Sequence, residues 1–410
     1  MTEKNGGWGL FDVFGLELEY MIVSKGSLDV LPVADVLIHS EGKRKNEVRH
    51  GDFLWSNELV MHVVELKTRN PVASLTGMAD GFQSQIALIN GMLESSGACL
   101  LSGAMHPWMD PITQTHLWPH ANHEIYECFH RVFDCRGHGW SNLQSAHLNL
   151  PFKGDHEFRQ LHSCIRIVLP LISALAGSSP FVDGKFTGNL CQRMNFYAAN
   201  CSKIPSITGY VIPDVYKSQQ EYIEGVFNVI QKDMASHDPE SVLEPEWTNA
   251  RGAIARFSRQ SIEIRVMDIQ ECPQCDIAIH DFTIALLKYL IRQSPISLTD
   301  IESVSTESLT DSFFRSLTYG VDTEILDPVH LQCFNITQSS PVSIGQLVES
   351  LLNHLPLEIQ DSYGILENIL KKGSLGARLT RNCGLRPNRD ILHAEWNSLA
   401  SCLNDGTIYG

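Results

Sequence analysis

Residues 261–269 of the chain, SIEIRVMDI, alternate branched apolar side chains with charged ones. Such alternation is typical of a β-strand that has one face on a core. Glu263 and Arg265 then project from the opposite face, two residues apart. A pair of this kind is often a solvated ion pair that contributes little to stability. On its own, the stretch predicts only a strand.

Two further stretches carry acidic residues in the same way. Residues 15–23, GLELEYMIV, predict a strand with two glutamates on one face, and residues 57–68 predict another with Glu58 and Glu65 towards its ends. Because an odd number of positions separates these two, both reach one face only if a bulge or a strand end intervenes. If the three strands share an antiparallel sheet, their carboxylates converge. The set is Glu17, Glu19, Glu58, Glu65 and Glu263.

Converging carboxylates repel one another unless cations neutralise them. Hard oxygen ligands indicate Mg²⁺ or Mn²⁺, and clustered Mg²⁺ commonly holds phosphates. Arg193 and Arg265 would add bidentate donors that suit a transferring phosphoryl group or a substrate carboxylate. His106 and His147 are further candidates for contact with substrate or phosphate, although a single histidine is more often structural.

The composition restricts the class of partner. The chain has 410 residues, a formal net charge of −16 and 43% hydrophobic residues, which indicates a globular protein with a sizeable core. It lacks the basic run that nucleic acids or anionic membranes require. The sequence has no Walker loop, Gly-x-Gly-x-x-Gly motif or Gly-x-Ser-x-Gly elbow, so nucleotide binding by those routes is not supported. We expect small-molecule substrates.

Targeting and redox features point to the cytoplasm. The first residues lack a signal-peptide pattern, and the longest apolar run, residues 167–177, is too short to cross a bilayer. The 11 cysteines are scattered, which favours reduced thiols. Cys272 and Cys275 form a lone Cys-x-x-Cys pair, a redox or zinc half-site without the second pair that tetrahedral zinc needs.

The predicted elements favour an α+β fold in which helices flank a mainly antiparallel sheet. Helices are predicted over residues 75–95, 157–176 and 276–292. After residue 295 the sequence shifts to Ser/Thr-rich linkers and amphipathic segments. We therefore predict a catalytic sheet domain over residues 1–295 and a helical C-terminal portion over residues 296–410, packed on the same domain. The oligomeric state stays open, with a homo-oligomer among the options.

Several short motifs follow one another between residues 15 and 268: GLELEY, EL-x₅-ELKT, GAMHP, QSAHLN, LAGSSPF, QRM and IEIRVMD. Each motif alone is weak, whereas all of them in one order are specific. Together they resemble the glutamate–cysteine ligase superfamily, and most of all its bacterial carboxylate–amine ligase branch.

The resemblance implies a glutamine-synthetase-like curved sheet that binds ATP and Mg²⁺, or Mn²⁺, at one end and amino-acid substrates at the other. Arg265 would contact the phosphoryl group or the acceptor carboxylate, and Arg193 would be a second catalytic and nucleotide-binding arginine. His147 would be the catalytic histidine of the central strand. His106 is not among the residues carried over from the family, and from its position beside a strand end we expect it to bind nucleotide. Lys67 receives no role, because relatives do not reliably carry lysine there. The implied metal ligands are Glu17, Glu19, Glu58, Glu65 and Glu263.

The implied reaction is ATP-dependent amide formation. The γ-phosphoryl group passes to a substrate carboxylate, and an amine then displaces phosphate. Glutamate is the expected acyl donor and cysteine the leading acceptor, although the acceptor stays open. One alternative is phosphoryl transfer to a guanidino group on the same catalytic sheet, which the motif order disfavours. Another is a noncatalytic binding protein, which the intact set of carboxylates disfavours.

Overall fold

The computed structural model describes residues 7–40, 43–337 and 340–410. Its strands are β1 (Gly15–Ser24), β2 (His39–Ser40), β3 (Lys43–Arg44), β4 (Glu47–His50), β5 (Phe53–Asn57), β6 (Val63–Thr68), β7 (Ala98–Leu101), β8 (Ser145–Pro151), β9 (Phe181–Val182), β10 (Lys185–Phe186), β11 (Ala253–Arg256), β12 (Ser261–Asp268), β13 (Glu324–Ile325) and β14 (Val342–Ser343).

The helices are α1 (Met78–Leu93), α2 (Pro111–Gln114), α3 (His123–Phe133), α4 (His138–Ser141), α5 (Gly154–Ala176), α6 (Gln192–Asn200), α7 (Gln219–Tyr222), α8 (Asn228–Met234), α9 (Pro245–Thr248), α10 (Pro273–Gln293), α11 (Leu298–Ser303), α12 (Thr306–Tyr319), α13 (Pro328–Gln332), α14 (Ile344–Leu352), α15 (Gln360–Lys372), α16 (Leu375–Cys383) and α17 (Arg389–Asp405). None of the helices in these described ranges has both the length and the apolar character needed to cross a membrane.

The centre of the fold is an antiparallel sheet of eight strands in the order β11-β12-β8-β1-β6-β5-β4, with β7 paired to the end of β1. β1 is thus flanked by β6 on one side and by β8 and β7 on the other. Strands β11 and β12 pair as a hairpin. This topology places the three predicted acidic stretches in one sheet.

The alternation along β1 separates its two faces. Within Leu16–Ile22, the even-numbered residues are fully buried in the main core. Glu17 and Glu19 lie on the opposite face, followed on that face by Met21 and Val23, which belong to a second, smaller core. One face of a single strand therefore changes from acidic to apolar along its length, because side chains two residues apart share a face.

Different helices pack against these two cores. The long helices α5 and α10 contribute buried residues to the main core. The second core is formed with α16 and α17, where Leu379 and Trp396 are fully buried with Met21 and Val23. Trp396 also meets the ring of Phe181 edge-on, with centroids 6.0 Å apart. The C-terminal helices thus cover the apolar end of the face that carries the glutamates.

Buried polar contacts join the C-terminal segment to α10 and to the residues that precede α10. The Asp281 carboxylate accepts hydrogen bonds from the amides of Glu358 and Ile359, at 3.0 and 2.9 Å. Arg378 of α16 forms a buried ion pair of 2.7 Å with Glu271. The predicted boundary at residue 295 lies just after α10, and the division there stays a prediction.

The single strand predicted over residues 57–68 is wrong. The chain leaves β5, reverses over residues 58–62 and continues as β6. The reversal contains no Gly or Pro, and its apolar Val60 forms a bridge with Leu117 instead of extending a strand. Because β5 and β6 pair with each other, residues 58–62 form the loop of a hairpin. Glu58 therefore lies just beyond the end of β5. Its odd spacing from Glu65 required either a bulge or a strand end between the two residues, and the structure has a strand end there.

We expect Trp396→Ala to lower the free energy of unfolding by about 3–5 kcal/mol, the usual cost of deleting a buried large aromatic side chain. Urea denaturation followed by circular dichroism measures this. Leu385→Ala is the control, because Leu385 is 65% exposed and should change stability little. Equal midpoints for the two variants would contradict the second core.

Candidate active site

One face of the sheet brings the predicted acidic residues together. In the ladder between β1 and β6, Glu19 lies opposite Glu65. On the other side of β1, Glu17 lies opposite His147 of β8, and Glu263 comes next, on the strand that pairs with β8. We refer to Glu17, Glu19, Glu58, Glu65 and Glu263 as the carboxylate cluster.

His147 lies at the centre of the carboxylate cluster. Its Nδ1 is 3.1 Å from Glu17 Oε2 and 3.8 Å from Glu263 Oε1. Its Nε2 is 2.8 Å from Ser145 Oγ and 3.9 Å from Glu19 Oε1. Burial lowers the pKa of the imidazole against the pull of the surrounding glutamates. His147 therefore contacts carboxylates in both halves of the cluster, and its catalytic role stays a prediction.

Glu19 and Glu65 face each other across the β1–β6 ladder, and each has its own donors. Glu19 Oε2 accepts hydrogen bonds from the amide and the hydroxyl of Ser145, at 2.7 and 2.9 Å. Glu65 Oε2 accepts from Ser56 Oγ at 2.5 Å and pairs with Lys67 Nζ at 2.8 Å. Burial, with the charge of Glu65 added, raises the pKa of Glu19.

Glu58 joins the cluster from the reversal between β5 and β6. Removal of its carboxyl from solvent raises its pKa well above the usual range, and the negative charges of Glu19 and Glu65 add to the shift. Tyr126 of α3 is near: its hydroxyl accepts a hydrogen bond of 2.8 Å from Asn57. Burial is therefore the larger cause of this shift, and repulsion from the neighbouring carboxylates is the smaller one.

Glu263 is held between two guanidinium groups. Arg256 contacts both of its carboxylate oxygens, at 2.9 and 3.4 Å, and Arg265 Nε lies 2.9 Å from Oε1. Burial alone would raise the pKa of Glu263, but the two arginines outweigh it and hold the pKa below its usual range. The ion pair suggested by the IEIR sequence is therefore real, and it is buried rather than solvated.

Arg265 lies at an irregularity in β12. The register against β8 shifts between Ile264 and Met267, which indicates a β-bulge opposite His147. Arg265 Nη1 donates a hydrogen bond of 3.2 Å to the hydroxyl of Tyr197 on α6. The guanidinium is thus oriented by Glu263 on one side and Tyr197 on the other, which suits a group that must be pre-positioned.

Arg193 contacts the backbone of β12 at this bulge. It is 1% exposed, its Nε lies 2.5 Å from Asp268 Oδ1, and its Nη2 donates to the carbonyl of Arg265 at 3.2 Å. The other oxygen of Asp268 accepts from Ser178 N and Ser179 Oγ, at 3.0 and 2.7 Å. These contacts assign Arg193 to positioning of β12, and direct contact with nucleotide or substrate stays a prediction.

His106 lies outside the contacts of the carboxylate cluster. It is fully buried, its Nε2 donates to the carbonyl of Leu28 at 2.7 Å, and its Nδ1 accepts from the amide of Trp108 at 3.3 Å. Burial lowers its pKa to about 4. Both ring nitrogens are occupied by the protein itself, and its role in nucleotide binding stays a prediction.

Comparison with known sequences decides the family. A model of glutamate–cysteine ligase family 2 (GCS2) matches residues 13–395. The chain belongs to this family. A protein of Archaeoglobus fulgidus is 30% identical over 401 residues, which are 97% of this chain and 100% of that protein. The resemblance read from the motifs is confirmed, and so is the class of enzyme, a ligase.

Solved structures give the same fold for this GCS2-family chain. Glutamate–cysteine ligase of Francisella tularensis, determined in complex with AMP, superimposes with a TM-score of 0.60 at 13% identity, over 96% of this chain and 91% of that one. The ligase PafA in complex with the ubiquitin-like protein Pup gives a TM-score of 0.51 at 11% identity, over 97% and 76%. The predicted α+β fold is confirmed.

The chemistry of the donors in this GCS2-family site fits a hard divalent cation. Two groups have ligand atoms that all lie within 4.8 Å of one another: Glu17, His147 and Glu263 form the first, and Glu19, Glu65 and His147 the second. Carboxylate oxygens are ligands that Mg²⁺ and Mn²⁺ prefer, and the imidazole nitrogen of His147 adds a donor that is more typical of transition-metal ions. A bound cation would also favour the ionised form of Glu19, whose pKa is raised first by burial and then by the charge of Glu65.

Sequence reasoning missed several residues of this site. Lys67 follows Glu65 at the spacing that puts both side chains on one face. The alternation therefore indicates that Lys67 belongs to the site, although it receives no role from the sequence motifs. Arg256 ends β11, and its partner Glu263 could be recognised only once the hairpin register was known. Tyr197 carried no signal, because it reaches Arg265 from a helix 68 residues away in sequence.

The Cys-x-x-Cys pair lies away from these contacts, at the start of α10. Both thiols are buried, with their sulfurs 3.8 Å apart. The pKa of Cys275 is raised well above its usual value, first by its hydrogen bond with Cys272 and then by burial. This environment disfavours the thiolate that redox or zinc chemistry needs. Among the described residues, neither cysteine belongs to a group with metal-binding geometry.

We expect Asp268→Ala to lower the free energy of unfolding by about 3–5 kcal/mol, because it leaves Arg193 as an uncompensated buried charge. Urea denaturation measures the loss. The matched control is Glu367→Ala, which breaks an exposed ion pair with Lys371 and should change stability by less than about 0.5 kcal/mol. A wild-type midpoint for Asp268→Ala would contradict a supporting role for the pair.

Proposed function

We propose that this chain is an ATP- and Mg²⁺-dependent carboxylate–amine ligase. It would activate the γ-carboxylate of glutamate as an acyl phosphate and join it to an amine, with cysteine the first acceptor to test. The observation that carries the proposal is the carboxylate cluster, gathered on one face of the sheet around His147 and beside Arg265. A cytoplasmic location, where ATP and glutamate are available, fits this activity.

The residues of the site have separate tasks in this proposal. The carboxylate cluster and His147 would hold Mg²⁺, which would supply positive charge against the phosphates of ATP. Ser145 fixes the orientation of Glu19 through two hydrogen bonds. Arg265, fixed by Glu263 and Tyr197, offers donors for the charge that develops on the transferred group or on the substrate carboxylate.

The support for each substrate differs. AMP in the Francisella tularensis ligase supports an adenine nucleotide here, and that enzyme's name supports glutamate and cysteine. PafA acts as the ligase of a protein, Pup, so the shared fold also serves acceptors larger than an amino acid. Glutamate with a small amine is favoured by the family match over residues 13–395.

A noncatalytic homologue is the main alternative. Glu19 and Glu58 are held where burial and mutual repulsion raise their pKa values. Such an arrangement lowers stability, and a protein without metal or phosphate chemistry gains nothing from it. Guanidino phosphotransfer on the same fold is the other alternative, and the product analysis below separates it from ligation.

The decisive assay measures ADP and phosphate release from Mg²⁺-ATP with L-glutamate, in the presence of cysteine, the other amino acids or simple amines in turn. Mass spectrometry identifies the product. The proposal expects glutamate-dependent ADP release that rises with one amine, and a product whose mass equals their condensation. ADP release with a phosphorylated guanidino product would favour the phosphotransferase, and nucleotide binding without turnover would favour the noncatalytic homologue.

We expect Glu19→Gln to reduce ATP turnover by about 10²-fold or more, the scale on which loss of one electrostatic group acts in an active site. The variant keeps the size of the side chain but removes its charge. Glu94→Gln is the matched control, because Glu94 is exposed and pairs only loosely with Lys25, at 3.5 Å. Equal turnover in Glu19→Gln and Glu94→Gln would remove Glu19 from the metal site.

A further inference from the structure

Lys67 lies inside the site although its motif assigns it no role. In the β1–β6 ladder it is opposite Glu17, and its ammonium group lies 2.8 Å from Glu65 Oε2. Its side chain is 23% exposed, so the charge is only partly screened by water. The ammonium therefore occupies space between two strands that both carry members of the carboxylate cluster.

The charges around the cluster are partly compensated by the protein. Its five carboxylates face three cationic side chains of the described residues at distances of 3.5 Å or less: Arg256 and Arg265 on Glu263, and Lys67 on Glu65. If these five carboxylates and three cationic side chains are ionised and His147, 3.1 Å from Glu17, is neutral, a net charge of −2 is left, which one divalent cation neutralises. Arg259 approaches Glu17 at 3.9 Å from solvent, where its charge is screened. Without Lys67, the balance would be −3.

Lys67 also binds a carboxylate oxygen of Glu65 that a metal ion could otherwise use. Glu65 belongs to the second group with metal-binding geometry, together with Glu19 and His147. Of its two oxygens, Oε2 is already shared between Ser56 and Lys67. A divalent cation on this side would have to share Glu65 with a fixed positive charge, and repulsion between the two cations opposes that.

We propose that the Lys67 ammonium takes the place of one divalent cation at Glu65, so that the ligase binds one ion fewer than the cluster could otherwise hold. This inference rests on the proposed metal-dependent function and concerns the number of ions at the same site. The competing interpretation is an ordinary half-buried ion pair that leaves the ion count unchanged. Counting bound ions separates the two.

The experiment titrates the purified protein with MnCl₂ in the presence of a non-hydrolysable ATP analogue. Electron paramagnetic resonance of free Mn²⁺ gives the number of ions bound per chain, without turnover. Lys67→Met removes the charge at similar length, Lys67→Gln is a second neutral variant in case the first does not fold, and Lys67→Arg retains the charge. Circular dichroism and thermal unfolding verify that each variant is folded.

The proposal expects both neutral variants to bind one Mn²⁺ more per chain than the wild type, while Lys67→Arg binds the same number as the wild type. An unchanged count in folded neutral variants, with Mn²⁺ bound by the wild type, would overturn the role of Lys67 and leave the proposed function standing. Absence of Mn²⁺ binding by the wild type would overturn the proposed metal-dependent function, and this inference with it.

Discussion

Repulsion among buried carboxylates is the interaction on which the rest of this site depends. Glu17, Glu19 and Glu65 are brought together by the register of β1 with β6, which cannot change by one residue without sending the core residues of β1 to the wrong face. The hydrophobic effect that buries the even-numbered residues therefore also enforces the electrostatic conflict on the other face. Burial raises the pKa values of Glu19 and Glu58, and repulsion from neighbouring carboxylates adds to both shifts.

The fold resolves the conflict differently at the two ends of the cluster. At the β12 end, Arg256 and Arg265 neutralise Glu263, and the buried Arg193–Asp268 pair fixes the backbone that carries Arg265. Towards β6, Lys67 compensates Glu65. The middle, around His147, retains unneutralised carboxylates, and this is where the donors converge. The site thus passes from compensated to uncompensated charge, and the proposed binding of Mg²⁺ relies on the uncompensated carboxylates.

Much of this architecture could be predicted from sequence, because alternation reports which side chains share a face. It placed Glu17 and Glu19 together, put Glu263 beside Arg265, and made an antiparallel sheet the simplest solution. It could not give the register between strands, which depends on contacts distant in sequence. For this reason the partner of Arg256 was missed, and Glu58 was assigned to a strand rather than to the reversal before β6.

We propose that the carboxylate cluster binds the metal that accompanies ATP. Anomalous diffraction from crystals grown with Mn²⁺ and a non-hydrolysable ATP analogue tests it most directly. We expect an anomalous peak from Mn²⁺ within bonding distance of cluster carboxylates and of His147. The phosphates of the nucleotide should lie beside this peak and near Arg265. A bound nucleotide whose phosphates and Mn²⁺ lie away from Glu17, Glu19 and His147 would contradict it.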